Sequence, residues 1–64
     1  MATVKVADAI RRLVADGWVH VRTTGSQRHY RHPTKHGVVT IPGKPGDTLA
    51  EGIWNSIQKQ AGWR

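Results

Sequence analysis

The chain has 64 residues, with ten Lys and Arg against four acids and no Cys, for a formal charge of +6. That length suits one domain over residues 1–64, and a domain this small buries only about 60% of the surface its unfolded chain exposes. Lack of Cys excludes disulfides and thiolate–metal staples, and no segment approaches the roughly 18 apolar residues of a membrane span.

Met1 to Lys5 has no apolar signal core, so the reading is a cytoplasmic protein without a membrane partner. Residues 4–16 carry Val6, Ile10, Leu13 and Val14 at helical spacing, with Lys5, Asp8, Arg11, Arg12 and Asp16 on the other side. Thr3 is the expected N-cap and Gly17 the left-handed stop, after which Trp18 folds back on the last turn. Residues 18–23 alternate as a strand, with Val19, Val21 and Thr23 on one face and Trp18, His20 and Arg22 on the other. Thr24-Gly25-Ser26 is a tight turn. Residues 27–32 form a second strand, with Gln27, His29 and Arg31 on one face and Arg28, Tyr30 and His32 on the other. A turn over residues 33–37 leads to a third strand, residues 38–41, ended by Pro42.

After a Pro- and Gly-bearing loop, a second helix is expected to start between Leu49 and Gly52 and run to Ala61. Ile53, Ile57 and Ala61 are its buried stripe, broadened by Trp54, and Gly62 ends it. Trp63 is placed as a cap folded back on this helix. Two short turns imply an antiparallel meander, and helices at both ends pack most easily on one face of the sheet. The class is therefore α+β, with the order helix, three strands, helix. Val19, Val21, Tyr30 and a pair from the third strand are expected on the covered face. Gln27, His29 and Arg31 are then left on the open face, with neighbours on that face about 6–7 Å apart along the strand.

The charge is segregated. All four acids, Asp8, Asp16, Asp47 and Glu51, lie outside residues 17–46, a span that holds five Lys and Arg and all four His. Within it, residues 25–33 combine two Arg, two His, a Tyr and a Ser. Such a segment suits a polyanion: cations for phosphates, an aromatic face for a base, and imidazoles able to move protons near neutral pH. The His residues make a poor metal set, because His29 and His32 fall on opposite strand faces and no carboxylate or thiolate lies between Gly17 and Gly46. No metal or other cofactor is expected. Ser26 has no acid close in sequence to orient a His, so it reads as a turn residue or phosphate contact rather than a nucleophile. Direct DNA binding is not expected, since the second helix offers only Asn55, Gln58, Lys59 and Gln60 as polar candidates for base reading.

Several segments together resemble the HicA-type toxins of toxin–antitoxin systems. They are Asp16-Gly17-Trp18, Arg22 through Ser26, Arg28-His29-Tyr30-Arg31-His32-Pro33, Val39-Thr40-Ile41-Pro42 and Ser56 through Trp63, in the family's order and at its spacing. The resemblance implies a double-stranded-RNA-binding-domain-like α-β-β-β-α fold. It also implies metal-independent cleavage of mRNA and neutralisation by a HicB-type antitoxin that covers the active site. In the family a His after Gly-Ser acts as general base on the 2′-hydroxyl. Here that position is Gln27, which hydrogen-bonds but does not titrate near pH 7. The resemblance thus predicts a chain that holds RNA through Arg22, Ser26, Arg28, Arg31 and Lys44 and cleaves it poorly. His29, on the same strand face, is the candidate substitute base. The competing reading is a non-catalytic RNA-binding module, or a basic partner of an acidic antitoxin.

Overall fold

A computed structural model describes residues 3–64. The elements are β1 (Val4–Lys5), α1 (Val6–Ala15), β2 (Val19–Thr24), β3 (Gln27–Arg31), β4 (Val39–Ile41), β5 (Thr48–Leu49) and α2 (Glu51–Gln60). The strands β2, β3 and β4 form the expected antiparallel meander. β1 and β5 form a second, two-stranded sheet that the sequence reading lacks, pairing Val4 with Leu49 and Lys5 with Thr48.

That pairing corrects the start of the first helix. Residues 4 and 5 are extended, so α1 begins at Val6, with Lys5 rather than Thr3 at the N-cap and no side-chain cap. Main-chain acceptors substitute for the cap: Val6 N–H donates to the Asp47 carbonyl (2.9 Å) and Ala7 N–H to the Pro45 carbonyl (3.0 Å). At its other end α1 stops as expected. Gly17 has φ +100°, Gly17 N–H donates to the Val14 carbonyl and Trp18 N–H to that of Leu13, the paired bonds of a Schellman-type stop.

One apolar cluster joins the helices to one face of the meander: Val6, Ala9 and Leu13 from α1, Trp18, Tyr30 from β3, Val39 and Ile41 from β4, Leu49, and Ile57 with Ala61 from the end of α2. Both helices therefore pack on the same sheet face, as expected. Three expectations about the core fail. Val14 is exposed, because Ala9 and Leu13 turn the buried stripe of α1 away from it. Ile53 is 43% exposed, because α2 meets the core through Ile57 and Ala61 with Trp54 half-buried beside them, a face that leaves Ile53 outside.

Val19 and Val21, placed on the covered face by simple alternation, are 58% and 50% exposed. Trp18 takes the inward position at the start of the strand, at 2% exposure, which turns Val19 outward opposite Arg31. A bulge between His20 and Arg22 then re-phases β2, so that His20 faces Tyr30 while Arg22 pairs with His29.

Candidate nucleic-acid interface

The hairpin that presents the candidate residues is a two-residue loop. Thr24 pairs with Gln27, and between them Gly25 has φ +59° while Ser26 does not have a positive φ, the pattern a type II′ turn requires. Its tip is tied to the loop after β4. Gly43 N–H donates to the Ser26 carbonyl (3.0 Å), and Arg28 Nη1 donates to the Gly43 carbonyl (3.0 Å). Lys44 is held in the same loop, where its N–H donates to Asp47 Oδ2 (2.9 Å).

Strand alternation and register put Gln27, His29 and Arg31 on the face opposite Tyr30, with Arg22 beside His29 on one side and Thr40 on the other. The sequence-derived set then divides into three places. Ser26, Arg28 and Lys44 line a hollow of about 260 Å³ with Thr23 and Gly25. Arg22, His29 and Arg31 line a second of about 200 Å³, walled by Val21 and Val38. Gln27 belongs to neither and lines a third hollow, against α2. Residues 27 and 29 share a face, as expected, but they open onto different depressions.

The three imidazoles near this region differ in what they are free to do. His29 Nδ1 lies 3.1 Å from Thr40 Oγ1, and its Nε2 is buried without a hydrogen-bond partner. His20 Nε2 is 2.8 Å from Thr23 Oγ1, and its ring sits 5.5 Å from that of Tyr30. Burial pushes the Tyr30 phenol above its ordinary range, with the Arg28 charge pulling the other way.

His32 is a structural piece. Its Nδ1 accepts the backbone N–H groups of Thr34 (3.1 Å) and Lys35 (3.2 Å), which puts the ring proton on Nε2, the donor to the Asp16 carbonyl at 2.8 Å. The ring also packs edge-on against Trp18 at 5.3 Å.

His32 is one member of a clasp at the end of the molecule away from the hairpin. Asp16 Oδ2 accepts from Lys35 Nζ (2.6 Å), Trp63 Nε1 (3.0 Å) and Trp18 Nε1 (3.2 Å). These donors, the Lys35 ammonium foremost and the Trp63 indole next, hold the Asp16 carboxyl at about 2, from an ordinary 3.8. Lys35 Nζ also donates to the Ala61 carbonyl (3.1 Å). Trp63 folds back as expected: its N–H donates to the Gln58 carbonyl, its ring lies 6.0 Å from Trp54, and the Arg12 guanidinium sits 4.5 Å over it.

Sequence reasoning missed the residues that α2 contributes beside Gln27, namely Ile53, Ser56 and Gln60. Their spacing of three and four marks one helix face, a signal obscured by the assignment of Ile53 to the core. No helix among the described residues is long and apolar enough to cross a membrane.

The family model described as the HicA toxin of bacterial toxin-antitoxin matches residues 6–63. We found no match to the chain among curated proteins. The match runs from the first residue of α1 to the Trp63 of the clasp and takes in all three strands of the meander. With nearly the whole fold inside that match, this chain belongs to the HicA toxin family, whose members act opposite a cognate antitoxin.

Proposed function

We propose that this chain is the toxin of a HicA–HicB type pair, built to bind single-stranded or looped mRNA in the cytoplasm, and that it is disarmed at position 27. The observation that carries this reading is Gln27 itself. It stands at the first residue after the hairpin turn, flanked in sequence by Ser26 and Arg28 of one cationic hollow and sharing its strand face with His29 and Arg31 of the other. RNA cleavage of this kind begins when a base removes the 2′-hydroxyl proton. The 2′-oxygen then attacks the adjacent phosphorus, the P–O5′ bond breaks with the 5′-oxygen taking up a proton to leave as a hydroxyl, and a 2′,3′-cyclic phosphate is left. A carboxamide in that position can orient the hydroxyl or a phosphate oxygen but cannot accept the proton.

The surroundings of His29 support disarming over rescue. One of its nitrogens is engaged with Thr40 and the other is shut away from solvent, so neither is presented to a substrate hydroxyl. Arg22, Arg31 and Lys44, with the fixed Arg28, supply phosphate contacts, and binding carried by such contacts weakens steeply with salt. The antitoxin is proposed as the second partner, an acidic or strand-covering protein drawn to the same basic face.

The test compares this chain with Gln27→His on a labelled mRNA in the presence of a chelator. The substituted chain is expected to cut about 10²–10⁴-fold faster and to leave cyclic phosphate ends. Equal cutting by both chains would move the base away from position 27. Retention of RNA without cutting by either would leave a binding module.

A further inference from the structure

One hollow on the molecule is lined without any charged group. It measures about 190 Å³, lies between the meander and α2, and is bounded by Gln27, Thr40, Pro42, Ile53, Ser56 and Gln60 over the buried Ile57. We propose that this hollow seats one RNA base beside the scissile position, and that Ser56 and Gln60 read its edge. The inference rests on the RNA-binding reading above.

Its chemistry is that of base recognition rather than phosphate recognition. The two neighbouring hollows each contain two cations, which suit phosphate oxygens. This one offers two carboxamides and two hydroxyls, neutral groups that donate and accept in the manner of base edges. Ile53 and Pro42 add apolar surface for the face of a ring. That use accounts for an isoleucine left 43% exposed on a helix whose next turn is buried. Pockets for drug-sized ligands run to about 300–1,000 Å³, so a hollow of this size is on the scale of one base.

The reader is also pre-set. Gln60 Oε1 accepts the Thr40 N–H at 3.3 Å, which fixes the carboxamide against β4 and leaves its NH2 group to donate. Ser56 lies one helical turn before Gln60 on the same face. Chain connectivity links the hollow to the phosphate contacts. Gln27 lines it, whereas Ser26 and Arg28 on either side line a cationic hollow. An RNA strand resting its phosphates on Arg28 and Lys44 therefore brings the adjoining nucleotide to Gln27, with α2 as the wall its base meets.

The test uses the full chain, which on that reading holds RNA and cuts it slowly, and fluorescence-labelled hexauridylate together with its single-base variants carrying A, C or G at each position. Base preference at one position is expected, of about 5- to 10-fold. The double variant Ser56→Ala, Gln60→Ala, changed at two exposed helix positions, should lose that preference while binding the disfavoured oligomers as before with the same salt dependence. The Gln60 side-chain amide resonances should shift on adding the preferred oligomer and not on adding inorganic phosphate. Equal binding of all oligomers, or a preference that survives the double variant, overturns the base-seat assignment while leaving RNA binding intact. Failure to bind any oligomer overturns the RNA-binding reading itself, and the base seat with it.

Discussion

The two ends of this small molecule are built on opposite plans. At the clasp, Asp16, Trp18, His32, Lys35 and Trp63 direct their polar atoms at one another, so that one carboxylate oxygen takes three donors and one imidazole has both nitrogens engaged. At the hairpin, β2 is exposed along its whole length, two valines stand in solvent, and Arg22 and Arg31 have no acid within the sheet to pair with. The first arrangement consumes hydrogen-bonding capacity to hold the end of α1, the loop after β3 and the segment after α2 together. The second leaves capacity unspent, as a surface meant for a ligand must. Much of what makes the sequence recognisable, Asp16-Gly17-Trp18 and Gly62-Trp63 in particular, lies at the clasp. The residues that would carry chemistry lie at the other end.

The largest loss is expected at Trp18. Trp18→Ala removes a buried indole that packs against His32 and donates to Asp16, and is expected to cost about 3–5 kcal/mol. In a 64-residue domain that is a large share of the whole, so chemical denaturation should show a chain largely unfolded near its normal working temperature.

The same substitution at two glycines sharpens the contrast. Gly17 and Gly25 both have positive φ, at +100° and +59°. A Cβ at Gly17 would stand 2.9 Å from His32 Nε2, whereas at Gly25 it would meet nothing within 4 Å. Gly25→Ala should therefore cost only the left-handed backbone penalty, about 1–2 kcal/mol. Gly17→Ala should cost at least about 1 kcal/mol more, read from paired thermal melts.

Acid should act on the clasp through Asp16. The folded Asp16 carboxyl titrates at about 2, below its ordinary 3.8. Its contribution is thus complete above about pH 4 and is lost as pH falls through about 2. Melting temperatures taken between pH 5 and 2 should fall for the native chain and fall less for Asp16→Asn, which starts lower but has no carboxylate to titrate. A parallel fall in both would remove Asp16 from the centre of the clasp.

The smallest effect on stability is expected at the open face. Arg22→Ala should shift stability by no more than about 0.5 kcal/mol, yet weaken binding to all RNA sequences alike and lower the salt slope by about 1. Filter binding at a series of salt concentrations separates these two results.

The sequence is legible where structure is local. The stop of α1 at Gly17, the fold-back of Trp18, the hairpin at Gly25 and the burial of Tyr30, Ile57, Ala61 and an alternating pair from β4, which the fold shows to be Val39 and Ile41, all follow from short-range pattern and turn chemistry. Distant partners were not legible. Nothing local announces that Val4–Lys5 pairs with Thr48–Leu49, or that Asp16 joins a lysine 19 residues on and a tryptophan 47 residues on. The orientation of Val19 and Val21 escapes two-residue periodicity for two reasons: Trp18 takes the inward position just before Val19, and a bulge between His20 and Arg22 re-phases the rest of β2. At the candidate site the residues of β2 and β3 were identifiable from composition. Their division among three hollows, and the contribution of α2 to one of them, depend on how a helix lies across a sheet edge.

The start of α1 carries a consequence of another kind. Its first donors are met by the carbonyls of Asp47 and Pro45, on a loop that also reaches the hairpin tip through Gly43 and Ser26. A cap made of main chain is indifferent to which side chain occupies position 5. It depends instead on the number of residues between Ile41 and Thr48, because adding or removing one would slide both carbonyls off their targets. Along this stretch length is set by the main chain, while residue identity is set at Gly43, at φ +88°, and at Asp47, whose carboxylate accepts the Lys44 N–H.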